Sequence, residues 1–422
     1  MCIRDRGYFA VDKFVLDPTR DQALVEETAQ QARSDALLES YGDRSIAVLP
    51  FVDMSANQDQ EYMSDGIAEE LLNLLARIPD LRVISRSSTF AFKGKDIAIP
   101  EVARQLNAAY VLEGSVRQTG DQLRITVQLI EGRSDTHLWS ETYDRKLENV
   151  FQIQDEISAA VVDQFKLTLL DGTPKSKTMN ERAYQELLQA RYFWNRRAEG
   201  DVQRAREHYE NALEISPNSA EAWAGLSWAT AVLTNLGQID RAEGLRLAEA
   251  AARKAVTLDP TLSDAHVRLG QAQLRAGDLR AGLESYRKAL ELNPDDPLAL
   301  GVNATMDWRS GDFDRSIELF ERIEKMDPLS AIWPANRYRI LILAGRYEEA
   351  LEATERFFTI SGNQADYDEM RARIFAMTGR YEEARSLTEH APDLPRTLMT
   401  KAILLHSLGR QDEAEDARLK LE

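Results

Sequence analysis

The 422-residue sequence contains one cysteine, Cys2. That excludes an intramolecular disulfide framework and any zinc site built on several thiolates. Histidine is also scarce, at five residues, and His137 beside Trp139 has no second histidine at ligand spacing, so no metal site is expected. Nowhere does an apolar run approach the roughly 20 residues needed to cross a bilayer. Lysine and arginine total 52 against 70 aspartate and glutamate, a formal charge of −18. A chain that binds a nucleic-acid backbone needs a basic stripe, and none is visible, so no nucleic-acid partner is expected. The acidity reads as a solvated helical surface.

What the sequence does have is a glycine returning every 34 residues: Gly277, Gly311, Gly345 and Gly379, with Gly409 following after 30. Pro260, Pro294 and Pro328 keep the same period. A fixed repeat of this size is one supersecondary unit copied and stacked into a solenoid. Within 263–294, Ala265, Leu269, Ala272 and Gln273 recur at helical spacing, and Gly277-Asp278 breaks the helix. Leu279, Leu283, Tyr286, Ala289 and Leu290 then share one face of a second helix. Gly270, Gly282 and Ala289 are small where the two helices approach, and Tyr286 supplies bulk beside them.

This pattern of small, small, aromatic, small and terminal proline resembles the tetratricopeptide repeat. It is met by Gly270, Gly282, Tyr286, Ala289 and Pro294, and again by Ala304, Ser316, Phe320 and Pro328 with Ile323 in the last small position. Earlier copies end in Ala205, Tyr209, Ala212, Pro217 and in Ala248, Ala252, Ala255, Pro260. The second of these carries an insertion near 236–245. About six or seven units are expected over 180–422, the last truncated.

The preceding region, 44–170, has α/β character. A strand is expected over 46–51, a helix over 63–77 with Ile67, Leu71, Leu74 and Leu75 inward, a strand over 81–84 and a helix over 100–107. A hairpin follows (110–117 and 123–130), its second arm alternating Leu123, Ile125, Val127, Leu129 against Arg124, Thr126, Gln128. A helix over 150–170 closes the unit. Residues 171–179 read as a polar, proline-bearing linker that few contacts should cross. Residues 1–43 comprise an artefactual start (MCIRDR, similar to translated adaptor sequence), a juxtamembrane remnant and a helical connector. The natural start is therefore expected upstream.

The stretches SIAVLPF (45–51), EYMSDGIAEELLNLLARIPDLRVISR (61–86), FAFKGKD (90–96), VLEGSVR (111–117), LRITVQLI (123–130) and HLWSETYDR (137–145) resemble the TolB amino-terminal domain and related FlgO-like domains. Joined to tetratricopeptide repeats, the domain is similar to the extracytoplasmic half of bacterial adenylate/guanylate cyclases or CadC-type winged-helix regulators. The resemblance implies a periplasmic location beside the inner membrane, with a cytoplasmic location as the alternative. It also implies a membrane tie only through an upstream span.

Several candidate sites carry less than they first suggest. Lys93-Gly94-Lys95-Asp96 lacks the spaced glycines of a phosphate-binding loop and reads as a basic turn. Ser64-Asp65-Gly66 reads as a helix N-cap. Glu69-Glu70 and Glu348-Glu349 read as solvent-facing pairs rather than opposed carboxylates. No nucleophile–base pair is evident, so no catalytic residue and no cofactor are expected. In repeats of this kind the first helix of each pair lines a concave groove, where Trp228, Gln271, Trp308, Arg339 and Arg373 are the candidate partner-binding residues. Val267 with Gln271, and Gly301 with Thr305, stand where chaperone-tail clamps carry lysine and asparagine, which argues against such a clamp. The expected protein is a non-catalytic, partner-binding and sensory region that takes a protein or peptide and has some capacity for self-association. The alternatives are a cell-envelope assembly scaffold and an enzyme with its site in the α/β domain.

Overall fold

A computed structural model describes residues 44–57, 59–78, 81–165, 179–196, 198–388 and 395–420. The expected start, connector and linker at 1–43 and 171–178 lie outside the described residues.

Ser45–Val48 (β1) is buried along its whole length because it runs inside a sheet covered on both faces. It pairs in parallel with Arg82–Val83 (β3) on one side and Tyr110–Thr119 (β4) on the other. Pro50, which lacks an N–H, interrupts the expected 46–51 strand, and Val52–Asp53 (β2) resumes further along β4. Gln122–Glu131 (β5) returns antiparallel through a turn where Gly120 takes φ 60°. Thr136–Lys146 (β6) forms the outer edge, giving the order β3-β1-β4-β5-β6 with β2 beside β4.

Glu61–Leu75 (α1) and Val150–Gln164 (α4) cover one face of the sheet over Ile46, Val48, Ile125 and Val127. Between β3 and β4 lie the short Arg86–Thr89 (α2), which the sequence did not suggest, and Ile99–Leu106 (α3). The latter covers the other face over Ala47, Leu49 and Val111. The expected N-cap at Ser64 or Asp65 is not one. Helix α1 starts at Glu61, and both residues are buried within its first turns, Ser64 donating back to the Glu61 carbonyl at 3.0 Å.

After Met179 the chain is helical, in seven antiparallel pairs among the described residues. The first three are Glu181–Arg196 with Asp201–Ile215 (α5, α6), Ala220–Asn235 with Arg241–Leu258 (α7, α8) and Ser263–Ala276 with Leu279–Leu292 (α9, α10). Then come Pro297–Arg309 with Phe313–Met326 (α11, α12) and Ile332–Leu343 with Tyr347–Ser361 (α13, α14). Gln364–Met377 with Tyr381–Thr388 (α15, α16) and Pro395–Ser407 with Gln411–Leu419 (α17, α18) complete the array. The periodic glycines take left-handed φ between the helices of a pair, as at Gly277 (φ 90°). The aspartate after two of them caps the next helix, Asp278 accepting from Ala281 N and Asp312 from Arg315 N. A Cβ on Gly270 would lie 2.8 Å from the Tyr286 ring, so the small residue is required for the two helices to close. The chain is thus a small α/β sheet unit followed by a helical, tetratricopeptide-like solenoid.

The two parts share a core, which overturns the expectation that few contacts cross between them. Tyr184 and Leu188 of α5 belong to the same apolar cluster as the sheet and helices α1 and α4. Tyr184 packs edge-on against Phe151 with centroids 4.8 Å apart, and its hydroxyl accepts from Gln154 Nε2 at 3.0 Å. Gly66 makes this seat possible, because a Cβ there would stand 2.5 Å from Leu188 Cδ2.

Candidate functional site

The prolines at 260, 294 and 328 mark the turns that join each helix pair to the next. The α/β domain lies along this row of turns. At one end α1 packs on α5. At the other, Ser85 N donates to the Met326 carbonyl at 2.8 Å, and Arg82 Nη1 to the Lys325 carbonyl at 3.0 Å. The buried Asp327 carboxylate closes this second contact. Its Oδ1 accepts from the hydroxyls of Ser85, Ser87 and Ser88 at 2.5, 2.7 and 2.7 Å, and its Oδ2 from Trp333 Nε1 at 2.8 Å. Four donors to one charged group make a strong clasp, since hydrogen bonds to an ion exceed neutral ones.

Between the two contacts lies a cleft of about 590 Å3. Its walls are α1 on the α/β side and α5, α7, α9 and the adjoining turns on the solenoid side. Glu69 and Glu70 point into this interface and not to solvent as the sequence suggested. Glu69 accepts from Arg86 Nε at 2.6 Å and Asn195 Nδ2 at 3.1 Å. Glu70 pairs with Arg191, whose other nitrogen reaches Glu221 at 3.1 Å. Burial opposes the Arg191 charge, but Glu221 and Glu69 outweigh it and raise its pKa. Six carboxylates and three arginines line the cleft. Among them, burial raises the Asp296 pKa although its carboxylate caps α11 through Ala299 N.

Beyond the cleft, Lys93 stands in the expected basic turn and its side chain bonds Asp65 at 2.5 Å and Glu61 at 2.8 Å, while Tyr192 of α5 donates to Glu61 at 2.7 Å. Burial raises the Asp65 pKa against the pull of Lys93, and the Lys93 bond lowers that of Glu61.

The structure brings Trp228 and Gln271 together. Trp228, half-buried on α7, meets Trp194 edge-on at 5.6 Å and carries two guanidiniums on its indole, Arg268 at 5.2 Å and Arg275 at 4.8 Å. Arg268 also donates to Gln271 Oε1 at 3.3 Å. Sequence reasoning missed both arginines. The signal was their i, i+7 spacing about Gln271, which places all three on one face of α9. Arg268 is held by Asp264 at 2.8 Å. Burial lowers the Arg275 pKa, and its Nη1 is buried with no partner among the described residues.

Trp308, Arg339 and Arg373 lie on α11, α13 and α15, apart from this cleft. Trp308 is half-buried against the apolar cluster around Leu300, Phe320 and Tyr338, and Arg339 is exposed. Arg373 is tied to Glu369 at 2.6 Å and to Thr400 at 3.3 Å, between consecutive repeats.

Comparison with known proteins fits this division. Residues 42–160 match the second domain of HilA/YgeH-like transcriptional regulators, and 196–245, 263–296 and 304–365 match tetratricopeptide repeats. A Rhizobium meliloti (strain 1021) protein provisionally named adenylate cyclase 3 is 40% identical over 187 residues, covering 43% of this chain and 32% of that protein. Hsp70-Hsp90 organizing protein 1 of Glycine max is 30% identical over 136 residues, 29% of this chain and 22% of its own length. The chain therefore spans a third or less of these two relatives. Among solved structures, a tetratricopeptide repeat protein from Parabacteroides merdae aligns over 57% of this chain and 91% of its own, at 15% identity and a TM-score of 0.41. The chain carries a HilA-like domain followed by tetratricopeptide repeats, a family whose repeats serve as protein-interaction scaffolds.

Proposed function

We propose that this chain is the non-catalytic, partner-binding and sensory part of a bacterial membrane-anchored signalling protein, working on the periplasmic side of the inner membrane. A protein or peptide enters the cleft between α1 and the first three helix pairs. Its binding alters how the α/β domain sits on the solenoid, and an upstream output module reads the change. That module is an adenylate/guanylate cyclase or a winged-helix regulator. The Rhizobium meliloti relative and the HilA/YgeH-like match support this parentage. In the same reading the α/β domain is kin to the TolB amino-terminal domain, and the two units divide at 171–179.

One observation carries the proposal: the cleft is walled jointly by the α/β domain and the repeats, so an occupant touches both. Trp228 with Arg268 supplies the kind of aromatic and arginine anchor that dominates interfaces. The test is capture of envelope proteins on the immobilised wild-type chain, compared with Trp228→Ala/Arg268→Ala and with Arg339→Ala outside the cleft. The expected result is a retained set lost in the first variant and kept in the second. Equal retention by all three proteins overturns the cleft as the binding site.

A further inference from the structure

We infer that β6 is the surface through which two copies of this chain pair, a role separate from partner capture in the cleft. Strand β6 is eleven residues long and is paired on one side only, with β5, over 122–131. No strand among the described residues lies beyond it. A free edge of this length presents a row of backbone donors and acceptors that templates a further strand unless something blunts it. Proline or unmatched charge would do so; β6 has no proline, and its Glu141 and Arg145 find opposite partners in the pairing described below. The register shift in the β5–β6 ladder falls at Leu129/Ile130, near one end, and leaves 139–146 regularly paired. The solenoid does not guard the edge either. It docks on α1 and, through Asp327, on the serines that follow β3, at the opposite end of the sheet.

The charges along β6 select the occupant. Glu141, Asp144, Arg145 and Lys146 are exposed. Laid antiparallel against a second β6 about Tyr143, each Glu141 faces Arg145 of the other copy, Thr142 faces Asp144, and Ser140 faces Lys146. Two cross-strand ion pairs form and no like charges meet. Centring the pairing on Glu141 or on Asp144 instead opposes a carboxylate to itself, which is unfavourable, and centring it on Thr142 makes no ion pair. The strand is self-complementary in one register. The resulting two-fold axis stands normal to the sheet, so odd-numbered residues stay on the face covered by α1 and α4 in both copies. The two solenoids then lie at opposite ends of one continuous sheet.

The experiment is light scattering and sedimentation of the full chain over a range of concentrations. The expected mass is twice the single-chain 47.7 kDa. Glu141→Arg alone and Arg145→Glu alone each place like charges opposite and should weaken pairing by about tenfold or more. Combining them restores opposite charges and should return most of the affinity. Neutral Glu141→Gln and Arg145→Gln variants should weaken pairing by a smaller step. Melting curves of every variant serve as the control, and the neutral pair carries the test if a charge-reversal variant unfolds. A single-chain mass at every concentration overturns the proposal. So does a dimer indifferent to these substitutions, or a double swap as weak as its single components.

Discussion

Gly66 on α1 and Leu188 on α5 occupy one space. The leucine side chain lies where a Cβ on residue 66 would go, at 2.5 Å. Both are buried, one in the α/β unit and one in the first repeat helix. Gly66→Val should therefore lift α5 from α1 and cost about 1–3 kcal/mol of stability, as overpacking does. Leu188→Ala should cost about 2–5 kcal/mol through the cavity it leaves. The double variant is expected to lose less than the sum, because each substitution makes room for the other. Urea melts of the four proteins measure this coupling, and strict additivity would show that the two side chains do not compete.

The same contact decides what the α/β unit can do alone. Tyr184 and Leu188 sit fully inside its apolar cluster, against Phe151 and α1. A fragment spanning 44–165 should expose that surface and aggregate or melt early. A fragment extended through α5 to residue 196 should fold cooperatively. Circular dichroism and dye binding distinguish the two, and a stable 44–165 fragment would show that α5 is an accessory to the core.

Asp327 holds the far contact. Replacing it with alanine leaves the Ser85, Ser87 and Ser88 hydroxyls and Trp333 Nε1 without their acceptor. The expected cost is about 3 kcal/mol, since hydrogen bonds to a charged group contribute more than neutral ones. Amide exchange should rise first at 85–89 and 326–333. Protection unchanged there would mean that the remaining backbone contacts hold the clasp.

How far the sequence led follows from which interactions are local. The solenoid was legible because its period is written in Gly277, Gly311, Gly345 and Gly379, and two successive copies set a small residue against an aromatic, Gly270 with Tyr286 and Ala304 with Phe320. Strand β6 left little trace, since only Tyr143 along it is buried and an alternating pattern needs several such positions. The clasp was invisible because Ser88 and Asp327 are 239 residues apart and each reads alone as loop polarity. Glu69 and Glu70 looked solvated for a related reason. They lie off the helix face that packs on the sheet, and Arg86 together with Asn195 and Arg191 of α5 covers them. Of the groove candidates, Trp228 lines the cleft and Gln271 is bonded by the lining residue Arg268. Arg268 and Arg275, which complete that cluster, were passed over.

The Lys93 cluster predicts a pH dependence. Burial raises the Asp65 pKa above its ordinary value, so this group favours the folded state at low pH and loses that contribution as pH rises through its folded pKa. Glu61, held low first by its Lys93 bond, has the opposite sign. Its contribution is present above the unfolded pKa and lost as pH falls through the folded one. Lys93→Met removes the cation that offsets the first effect and sustains the second. The variant should be destabilised by about 2 kcal/mol at pH 8, where Asp65 is left buried and charged, with a smaller loss near pH 5. Denaturation curves at the two pH values check it. An equal loss at both would mean that Lys93 acts through packing alone.

Trp228 and Trp308 are both half-buried on the first helices of their pairs but should respond differently to truncation. Trp308 packs against the cluster of Leu300, Phe320 and Tyr338, so Trp308→Ala removes apolar contact from a core. A fully buried tryptophan costs about 3–5 kcal/mol on truncation, and this one is half-buried, so about 2 kcal/mol is expected. Trp228 meets Trp194 and two arginines at the cleft wall, contacts that contribute about 0.5–1.5 kcal/mol each at partly exposed sites. Its truncation also opens Arg275 to water, which relieves the burial that lowers that guanidinium's pKa. Trp228→Ala should therefore lower the melting temperature less than Trp308→Ala while reducing partner capture more. One thermal melt and one capture assay on each variant separate the two roles. A larger thermal loss for Trp228→Ala would move it from the cleft wall into the architecture of the repeats, leaving Arg268 as the residue of this cluster that faces an occupant.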